Sequence, residues 1–283
     1  MSSAASPLNV GSAERVTLAT DAGPIAALQA GRADAPPVLL VPGFTGSKED
    51  FGPLLDPIAG GGFRVTAIDL PGQYQSPGPH DPAAYTPDRL AATVLALSAG
   101  LDPRGDGVRL LGHSYGGLVA RAAVIDRPAA FTSLVLMGSG PGVIGDERRA
   151  VLEALAPVLA EVGVAGVYAA SLQLDAAQPG YVEPSAELAA FLRERFLAGS
   201  PAMLQGMADA LRSEPDRVDE LAATGIRTLV LHGVDDVPWP VAQQHAMAQR
   251  LGAGYVVIPG AAHSPAVENP PLTASALLSF WRG

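Results

Sequence analysis

A serine at the centre of a glycine-rich turn is the residue of this chain whose type and spacing best suit a nucleophile. The segment Gly112-His113-Ser114-Tyr115-Gly116 follows the apolar run Val108–Leu111 and precedes a helix predicted to begin near Tyr115. In such a strand-to-helix turn, a serine takes a strained backbone conformation and exposes its hydroxyl above the sheet. The flanking glycines remove Cβ atoms that would collide there. We therefore interpret Ser114 as a candidate nucleophile for acyl-group chemistry.

An acid and a histidine follow later strands, in the order that a serine nucleophile requires. Asp235 and Asp236 come soon after the apolar run Thr228–Leu231, and His263 comes after the last such run, Tyr255–Ile258. Serine, acid and histidine in this chain order form one type of catalytic triad, in which the imidazole takes the serine proton and the carboxylate orients the ring. The spacing alone leaves both aspartates open as the acid.

A second glycine turn, Pro42-Gly43-Phe44, follows the apolar run Val38–Val41. We predict that the main-chain N–H groups of Phe44 and Tyr115 point toward the nucleophile and stabilise a developing oxyanion. A phosphate-binding loop is the competing interpretation of the segment 43–48. It does not fit, because the adjacent Gly-Lys pair and the four-residue spacing between glycines are both missing.

The elements that must position these residues alternate along the chain. A hairpin is predicted at 15–29, and six short apolar runs follow, which are typical of parallel strands covered by helices on both faces. Between them, Thr86-Pro87 is a helix-start signal, and helices are predicted at about 115–127, 240–251 and 271–281. The sequence therefore predicts a doubly wound, mostly parallel, eight-stranded α/β sheet.

The alternation breaks between about residues 142 and 225, where apolar residues recur only at helical spacing. A helical insertion after the sixth strand predicts a lid over the carboxyl ends of the strands, although most of its apolar residues are expected to be ordinary core. We expect a mobile tail at 1–13, a sheet core at 14–141 and 223–283, and a lid at 142–222.

Composition argues against several other classes of protein. The 283 residues include 48% hydrophobic residues, enough for a sizeable core, and the net charge of −10 without a Lys/Arg cluster disfavours nucleic acid as a partner. The absence of cysteine excludes a thiolate metal site, and the five histidines are scattered, so no metal site is predicted. Without a long apolar run or a signal-peptide pattern, we expect a cytoplasmic protein that does not contact a membrane.

These motifs together resemble the α/β-hydrolase family, in the subgroup of serine hydrolases that carries a helical lid. The resemblance covers roughly residues 14–283 and rests on five motifs, which are Pro42-Gly43-Phe44, Asp69-Leu70-Pro71-Gly72, Gly112-His113-Ser114-Tyr115-Gly116-Gly117, Gly233-x-x-Asp236-x-x-x-Pro240 and Gly260-x-x-His263. Since the family's acid lies three residues after the glycine, the resemblance implies Asp236 rather than Asp235. A serine at position 114 separates the chain from the epoxide hydrolase and haloalkane dehalogenase branches, which use a carboxylate nucleophile.

The chain departs from the family pattern at two positions. Pro42 stands where the family often has histidine, which leaves the predicted oxyanion donors intact because they are main-chain groups. Tyr74 replaces a glycine in the loop between Asp69 and Ser76. Tyr74 is therefore a candidate for a pocket wall, although a packed loop aromatic fits the sequence equally well.

The resemblance implies a serine hydrolase that acts on a small molecule through an acyl-enzyme, with Ser114, Asp236 and His263 as its triad and with no metal or organic cofactor. The apolar faces of the predicted lid favour a small to medium, fairly apolar acyl group, contacted by Tyr74, Tyr168, Met203 and Met207. Carboxylic ester hydrolysis is the favoured reaction. The same triad also serves carbon–carbon bond hydrolysis, thioester hydrolysis and cofactor-free perhydrolysis. A non-catalytic binding protein is the alternative of another class, and the oligomeric state is left open.

Overall fold

Eight strands form one sheet in the computed structural model, which describes residues 8–177 and 181–283. In chain order they are β1 (Glu14–Thr20), β2 (Gly23–Ala30), β3 (Pro37–Val41), β4 (Arg64–Ile68), β5 (Val108–His113), β6 (Phe131–Met137), β7 (Thr228–Gly233) and β8 (Gly254–Ile258). Across the sheet the order is β1-β2-β4-β3-β5-β6-β7-β8. The β1–β2 and β2–β4 pairs are antiparallel and the remaining pairs are parallel. The predicted mostly parallel, eight-stranded sheet is therefore confirmed.

The burial of the central strands explains their continuous apolar sequence. All five residues of β3 are buried, and its side chains alternate between two separate cores. Leu39 and Val41 face one core, whereas Val38 and Leu40 face the other. Burying each such side chain contributes roughly 1.5–3 kcal/mol, so both faces of the sheet stabilise the platform that carries the site.

Helices cover both faces of this sheet. They are α1 (Gly52–Gly60), α2 (Pro87–Leu101), α3 (Tyr115–Asp126), α4 (Asp146–Val162), α5 (Val164–Ala176), α6 (Ala186–Ala198), α7 (Pro201–Ser213), α8 (Val218–Ala223), α9 (Val241–Leu251), α10 (Pro265–Glu268) and α11 (Pro270–Arg282). The helices predicted at 115–127, 240–251 and 271–281 agree with α3, α9 and α11 to within one residue at each end. The Thr86 hydroxyl accepts the Arg89 N–H at 3.3 Å, as expected for the N-cap of α2.

The segment between β6 and β7 contains α4 to α8 and, in its described residues, no strand. None of the residues of α4 or α6 is fully buried, whereas α7 buries one face, including Leu204 and Leu211, in the core. The predicted domain boundaries at 142 and 222 fall near the ends of this helical insertion and stay a prediction. Throughout the described part of the chain, no helix has both the length and the apolar character that a bilayer span requires.

The predicted N-terminal tail falls partly outside the described residues, which begin at position 8. Within residues 8–13, Ser12 donates two hydrogen bonds to the carboxylate of Asp56, from its main-chain N at 3.1 Å and from its hydroxyl at 2.6 Å. Val10 and Ala13 pack against the core beneath. This segment therefore has defined contacts with α1.

Candidate active site

Ser114 lies in the turn between β5 and α3, at the carboxyl edge of the sheet. Its φ of 54° and ψ of −121° place it in a backbone region that residues with a side chain rarely adopt. A Cβ on Gly112 would lie 2.2 Å from the carbonyl oxygen of Gly116, and a Cβ on Gly116 would lie 2.4 Å from that of Val41. The two glycines are therefore required by close backbone contacts, as the sequence pattern predicts.

His263 joins Ser114 to Asp236, although the three residues follow three different strands. The Nε2 atom of His263 lies 3.0 Å from the hydroxyl oxygen of Ser114, and Nδ1 lies 2.8 Å from a carboxylate oxygen of Asp236. Because a carboxylate can only accept, Nδ1 carries the ring proton. Nε2 is then free to accept the hydroxyl proton of Ser114.

Asp236 is buried behind the histidine and is held by a second partner. Its side chain is 0% exposed, and its other carboxylate oxygen accepts a hydrogen bond from the Gln244 side chain at 2.9 Å. The neighbouring Asp235 is exposed. Of the two aspartates, the structure brings Asp236 to the imidazole.

Glu268 and His113 hold the main chain of His263, and sequence reasoning assigned neither a role. One carboxylate oxygen of Glu268 accepts the N–H groups of Ala262 at 2.7 Å and of Ser264 at 3.0 Å. The Nε2 of His113 donates to the carbonyl oxygen of His263 at 2.7 Å. Glu268 lies five residues after a candidate catalytic histidine, at the end of a short helix. This position is the sequence feature that could have pointed to its role.

The imidazole of His113 is neutral over most of the pH range. Burial and, as a smaller effect, the nearby His263 ring lower its pKa to about 4. Because its partner is a carbonyl oxygen, Nε2 must carry the proton. His113 is therefore an uncharged donor that holds the loop of His263.

The turn that contains Phe44 packs directly against Ser114. A Cβ on Gly43 would lie 2.9 Å from the Cβ of Ser114, and Phe44 lines the cavity next to the serine. Tyr115 is the first residue of α3, where main-chain N–H groups have no partner within the helix. The structure thus places both predicted oxyanion donors in residues adjacent to Ser114, and their role stays a prediction.

A buried ion pair joins the loop after β3 to the loop after β4. The ammonium of Lys48 lies 2.8 Å from Asp69 and 3.1 Å from Glu49, with the Lys48 and Asp69 side chains 1% and 0% exposed. Burial raises the pKa of Asp69 to about 6, although the Lys48 charge acts in the opposite direction. Gln75 accepts a further hydrogen bond from Lys48 at 2.9 Å.

A cavity of about 210 Å³ opens at Ser114. Its walls include aromatic and aliphatic side chains and one ion pair, and the lining residues are Gly43, Phe44, Thr45, Gly46, Asp50, Phe51, His113, Ser114, Met137, Arg195, His263, Ser264, Ala266 and Val267. Arg195 of α6 reaches this cavity and pairs with Asp50 at 2.5 Å. Among the described residues, no group of three metal-ligating side chains is assembled.

Three of the residues predicted to contact substrate lie away from this lining. Met203 and Met207 are 2% and 0% exposed and belong to the core beneath α7. The ring of Tyr168 packs against that of Phe196, with centroids 5.3 Å apart. Substrate contact by these residues stays a prediction.

Tyr74, the fourth predicted contact, also lies outside the cavity lining. Its hydroxyl donates to Glu194 at 3.0 Å, its ring contacts Phe191 edge-on, and the Lys48 ammonium lies 4.8 Å from its centre. Burial and the Glu194 carboxylate raise its pKa to about 12. Tyr74 therefore joins the loop after β4 to α6, and its contact with substrate also stays a prediction.

A sequence model of the alpha/beta hydrolase family matches residues 38–276, which include Ser114, Asp236 and His263. The chain belongs to the alpha/beta hydrolase family. This membership, together with relatives and structural neighbours that are themselves hydrolases and esterases, identifies the protein as an enzyme of the α/β-hydrolase kind.

Known proteins similar to this α/β-hydrolase include a relative that matches most of both chains. A protein of Variovorax paradoxus (strain S110) named for carbamate hydrolysis (RutD) is 31% identical over 264 residues, which cover 88% of this chain and 93% of the relative.

The solved structures that share the fold include a hydrolase and an esterase. A hydrolase from Pseudomonas aeruginosa PA01 has a TM-score of 0.79 at 25% identity, over 96% of this chain and 100% of that one. An esterase from Thermogutta terrifontis has a TM-score of 0.77 at 24% identity, over 96% of this chain and 98% of that one.

Proposed function

We propose that the enzyme is a serine hydrolase in which Ser114, His263 and Asp236 form the catalytic triad. The observation that carries this proposal is the pair of hydrogen bonds, 3.0 Å and 2.8 Å long, that connects the hydroxyl to the imidazole and the imidazole to a buried carboxylate. A protein that only binds its ligand has no need of a proton acceptor on the serine or of a buried carboxylate behind it. Catalysis accounts for all three groups.

In the first half of the reaction, Ser114 attacks the carbonyl carbon of an ester while His263 accepts the hydroxyl proton on Nε2. Asp236 keeps the ring in the required tautomer and stabilises the imidazolium that forms. The tetrahedral intermediate collapses when the bond to the leaving oxygen breaks and His263 returns the proton to that oxygen. The products of this step are an acyl-enzyme on Ser114 and a free alcohol.

In the second half, water replaces the alcohol. His263 removes a proton from the water as its oxygen attacks the acyl carbon. The bond between that carbon and the oxygen of Ser114 then breaks, His263 returns the proton to the Ser114 oxygen, and the carboxylic acid leaves. We assign the developing oxyanion in both halves to the main-chain N–H groups of Phe44 and Tyr115. A donor of this kind typically contributes about 10²- to 10³-fold in rate.

The size and walls of the cavity favour a small carboxylic ester as the substrate class. Its volume of about 210 Å³ is below the roughly 300–1,000 Å³ of pockets that hold drug-sized ligands. Phe44, Phe51 and Met137 supply apolar walls next to Ser114. We propose that the helical insertion acts as the lid of this cavity, because Arg195 reaches the lining from α6.

Carbamate esters are a second candidate class. The relative named for carbamate hydrolysis matches 88% of this chain, and a carbamate presents the same kind of carbonyl carbon to Ser114. The triad geometry does not distinguish the two substrates, so both belong in the test.

The proposal is tested with p-nitrophenyl acetate, butyrate and octanoate, a p-nitrophenyl carbamate, a diketone and a peracid assay. We expect turnover of the short esters to exceed that of octanoate, and Ser114→Ala to abolish nearly all of it. The exposed Ser213→Ala serves as the matched control and should retain wild-type rates. Ester turnover that survives in Ser114→Ala would overturn the proposal.

A further inference from the structure

We propose that Gln73 is the positioning residue of the oxyanion site, because its side chain fixes the peptide bond that carries the N–H of Phe44. This inference rests on the proposed serine-hydrolase function. Gln73 is 1% exposed. Its side-chain amide nitrogen donates to the carbonyl oxygen of Gly43 at 2.7 Å, and its amide oxygen accepts the N–H of Leu70 at 2.9 Å.

Because the peptide bond is planar, hydrogen bonds to the carbonyl oxygen of Gly43 also fix the direction of the N–H of Phe44. The carbonyl of Gly43 and the N–H of Phe44 belong to one trans peptide unit, so they point in opposite directions. The Gly43 carbonyl oxygen accepts from Gln73 and, at 3.0 Å, from the N–H of Gly46. With both bonds made, the peptide plane cannot rotate without breaking a buried hydrogen bond. The N–H of Phe44 is therefore held on the side away from these donors, and Phe44 itself lines the cavity of Ser114.

The backbone of this loop requires such a constraint. Thr45 has a φ of 58°, in the left-handed region that favours glycine. A non-glycine residue in this region is strained, and it keeps this conformation only where its surroundings fix it. The hydrogen bonds to Gly43 lie immediately before this residue. Gln73 thus stabilises the strained form of the loop in which Phe44 faces the serine.

Glutamine fits this position because one side chain must both donate and accept. Glutamate could accept from Leu70 but would direct a second oxygen at the Gly43 carbonyl, and methionine could form neither bond. The two loops are also joined by Lys48 and Asp69 at 2.8 Å, independently of Gln73. We therefore expect the variants of Gln73 to fold.

The experiment compares Gln73→Met and Gln73→Glu with Gln75→Met, an exposed glutamine in the same loop whose side chain contacts Lys48 instead of Gly43. Steady-state kinetics are measured with p-nitrophenyl acetate, and affinity is measured for phenylboronic acid, which forms a tetrahedral anion on a serine. In both Gln73 variants kcat should fall about 10- to 100-fold. This loss is smaller than the one expected when an oxyanion donor is deleted, because the N–H of Phe44 is still present. KM should stay within threefold, boronate affinity should fall by a factor similar to the loss in kcat, and Gln75→Met should change each value less than twofold.

Wild-type activity separates failure of this inference from failure of the proposed function. If the wild type hydrolyses neither the ester nor the carbamate, or if Ser114→Ala still hydrolyses either, the serine-hydrolase proposal fails and the role of Gln73 fails with it. If wild-type turnover depends on Ser114 but both Gln73 variants keep kcat within threefold, only the role of Gln73 is overturned. A change in KM without a change in kcat overturns it as well. So does a loss of kcat in Gln75→Met that equals the loss in the Gln73 variants. Circular dichroism checks folding, and Gln73→Asn, too short to hold both partners, replaces any variant that does not fold.

Discussion

His113 donates a hydrogen bond from Nε2 to the main-chain carbonyl of His263 at 2.7 Å, with the two rings 5.0 Å apart. The residue that precedes the serine therefore holds the loop of the histidine that contacts this serine. The ring is buried, and burial lowers its pKa to about 4, so His113 donates this bond as a neutral imidazole. The cost of charging a buried ring gives the folded protein a specific response to acid.

The first prediction concerns how the difference in unfolding free energy between wild type and His113→Gln depends on pH. The unfolded histidine has a pKa near 6.5, so between about pH 6.5 and 4 the unfolded chain binds a proton that the folded chain does not. The contribution of His113 is therefore complete above pH 6.5 and is lost as the pH falls toward 4. We expect the difference in unfolding free energy between wild type and variant to fall by up to about 3 kcal/mol over this range.

Urea unfolding at pH 7, 5.5 and 4.5 measures this difference. The comparison with the variant is essential because Asp69, with its pKa raised to about 6, acts in the opposite direction. Its contribution is greatest below its unfolded pKa, near 3.8, and decreases as the pH rises through 6. A difference between wild type and His113→Gln that does not change with pH would rule out the buried neutral imidazole.

The second prediction distinguishes the two adjacent aspartates. Asp236→Asn removes the acceptor that fixes the His263 tautomer, so kcat for p-nitrophenyl acetate should fall by about 10³- to 10⁴-fold. Asp235→Asn is the matched control, since its side chain is exposed, and should stay within twofold. Equal losses in the two variants, measured by steady-state kinetics, would contradict the assignment of Asp236.

The third prediction concerns Glu268, whose carboxylate accepts the two N–H groups that flank His263. Glu268→Met removes both acceptor contacts and should destabilise the fold by about 1.5–3 kcal/mol and lower kcat. Glu268→Gln keeps an acceptor oxygen and should retain most of the wild-type stability and most of the wild-type kcat. Thermal unfolding and ester turnover measure the two effects, and a methionine variant as stable and active as wild type would exclude the role of Glu268.

The fourth prediction tests the contact of α6 with the cavity. Arg195→Met breaks the ion pair with Asp50, whose two side chains are 14% and 25% exposed, and should loosen the proposed lid. The ratio of octanoate to acetate turnover should rise up to about fivefold, equivalent to about 1 kcal/mol. Arg193→Met, an exposed arginine of the same helix, should leave the ratio unchanged. An unchanged ratio in both variants would mean that α6 does not limit the acyl chain.

Local patterns in the sequence predicted the features that depend on local geometry. The apolar runs predicted the buried parallel strands, and the spacing around Ser114 predicted the turn that β5 and α3 form. The helix-start signal at Thr86 located α2. In each case, residues close in sequence determine the structure, so the pattern and the structure agree.

Features that depend on contacts between distant residues were not predicted. Gln73 donates to the carbonyl oxygen of Gly43 in another turn, 30 residues away in the sequence, and no spacing rule points to it. Helix α5 was not predicted as a separate element, since its apolar residues are spread around the helix, with Leu172 and Leu174 exposed. The expected substrate contacts of Met203 and Met207 came from composition, which does not show which face of α7 is turned toward the core.

Labelling with a fluorophosphonate probe, followed by mass spectrometry of the modified peptide, tests directly whether Ser114 is an activated nucleophile. We expect one adduct, on the hydroxyl of Ser114, that is absent in Ser114→Ala and forms far more slowly in His263→Ala. A protein that is folded yet unlabelled, or one labelled on another residue while Ser114→Ala still hydrolyses esters, would contradict this expectation.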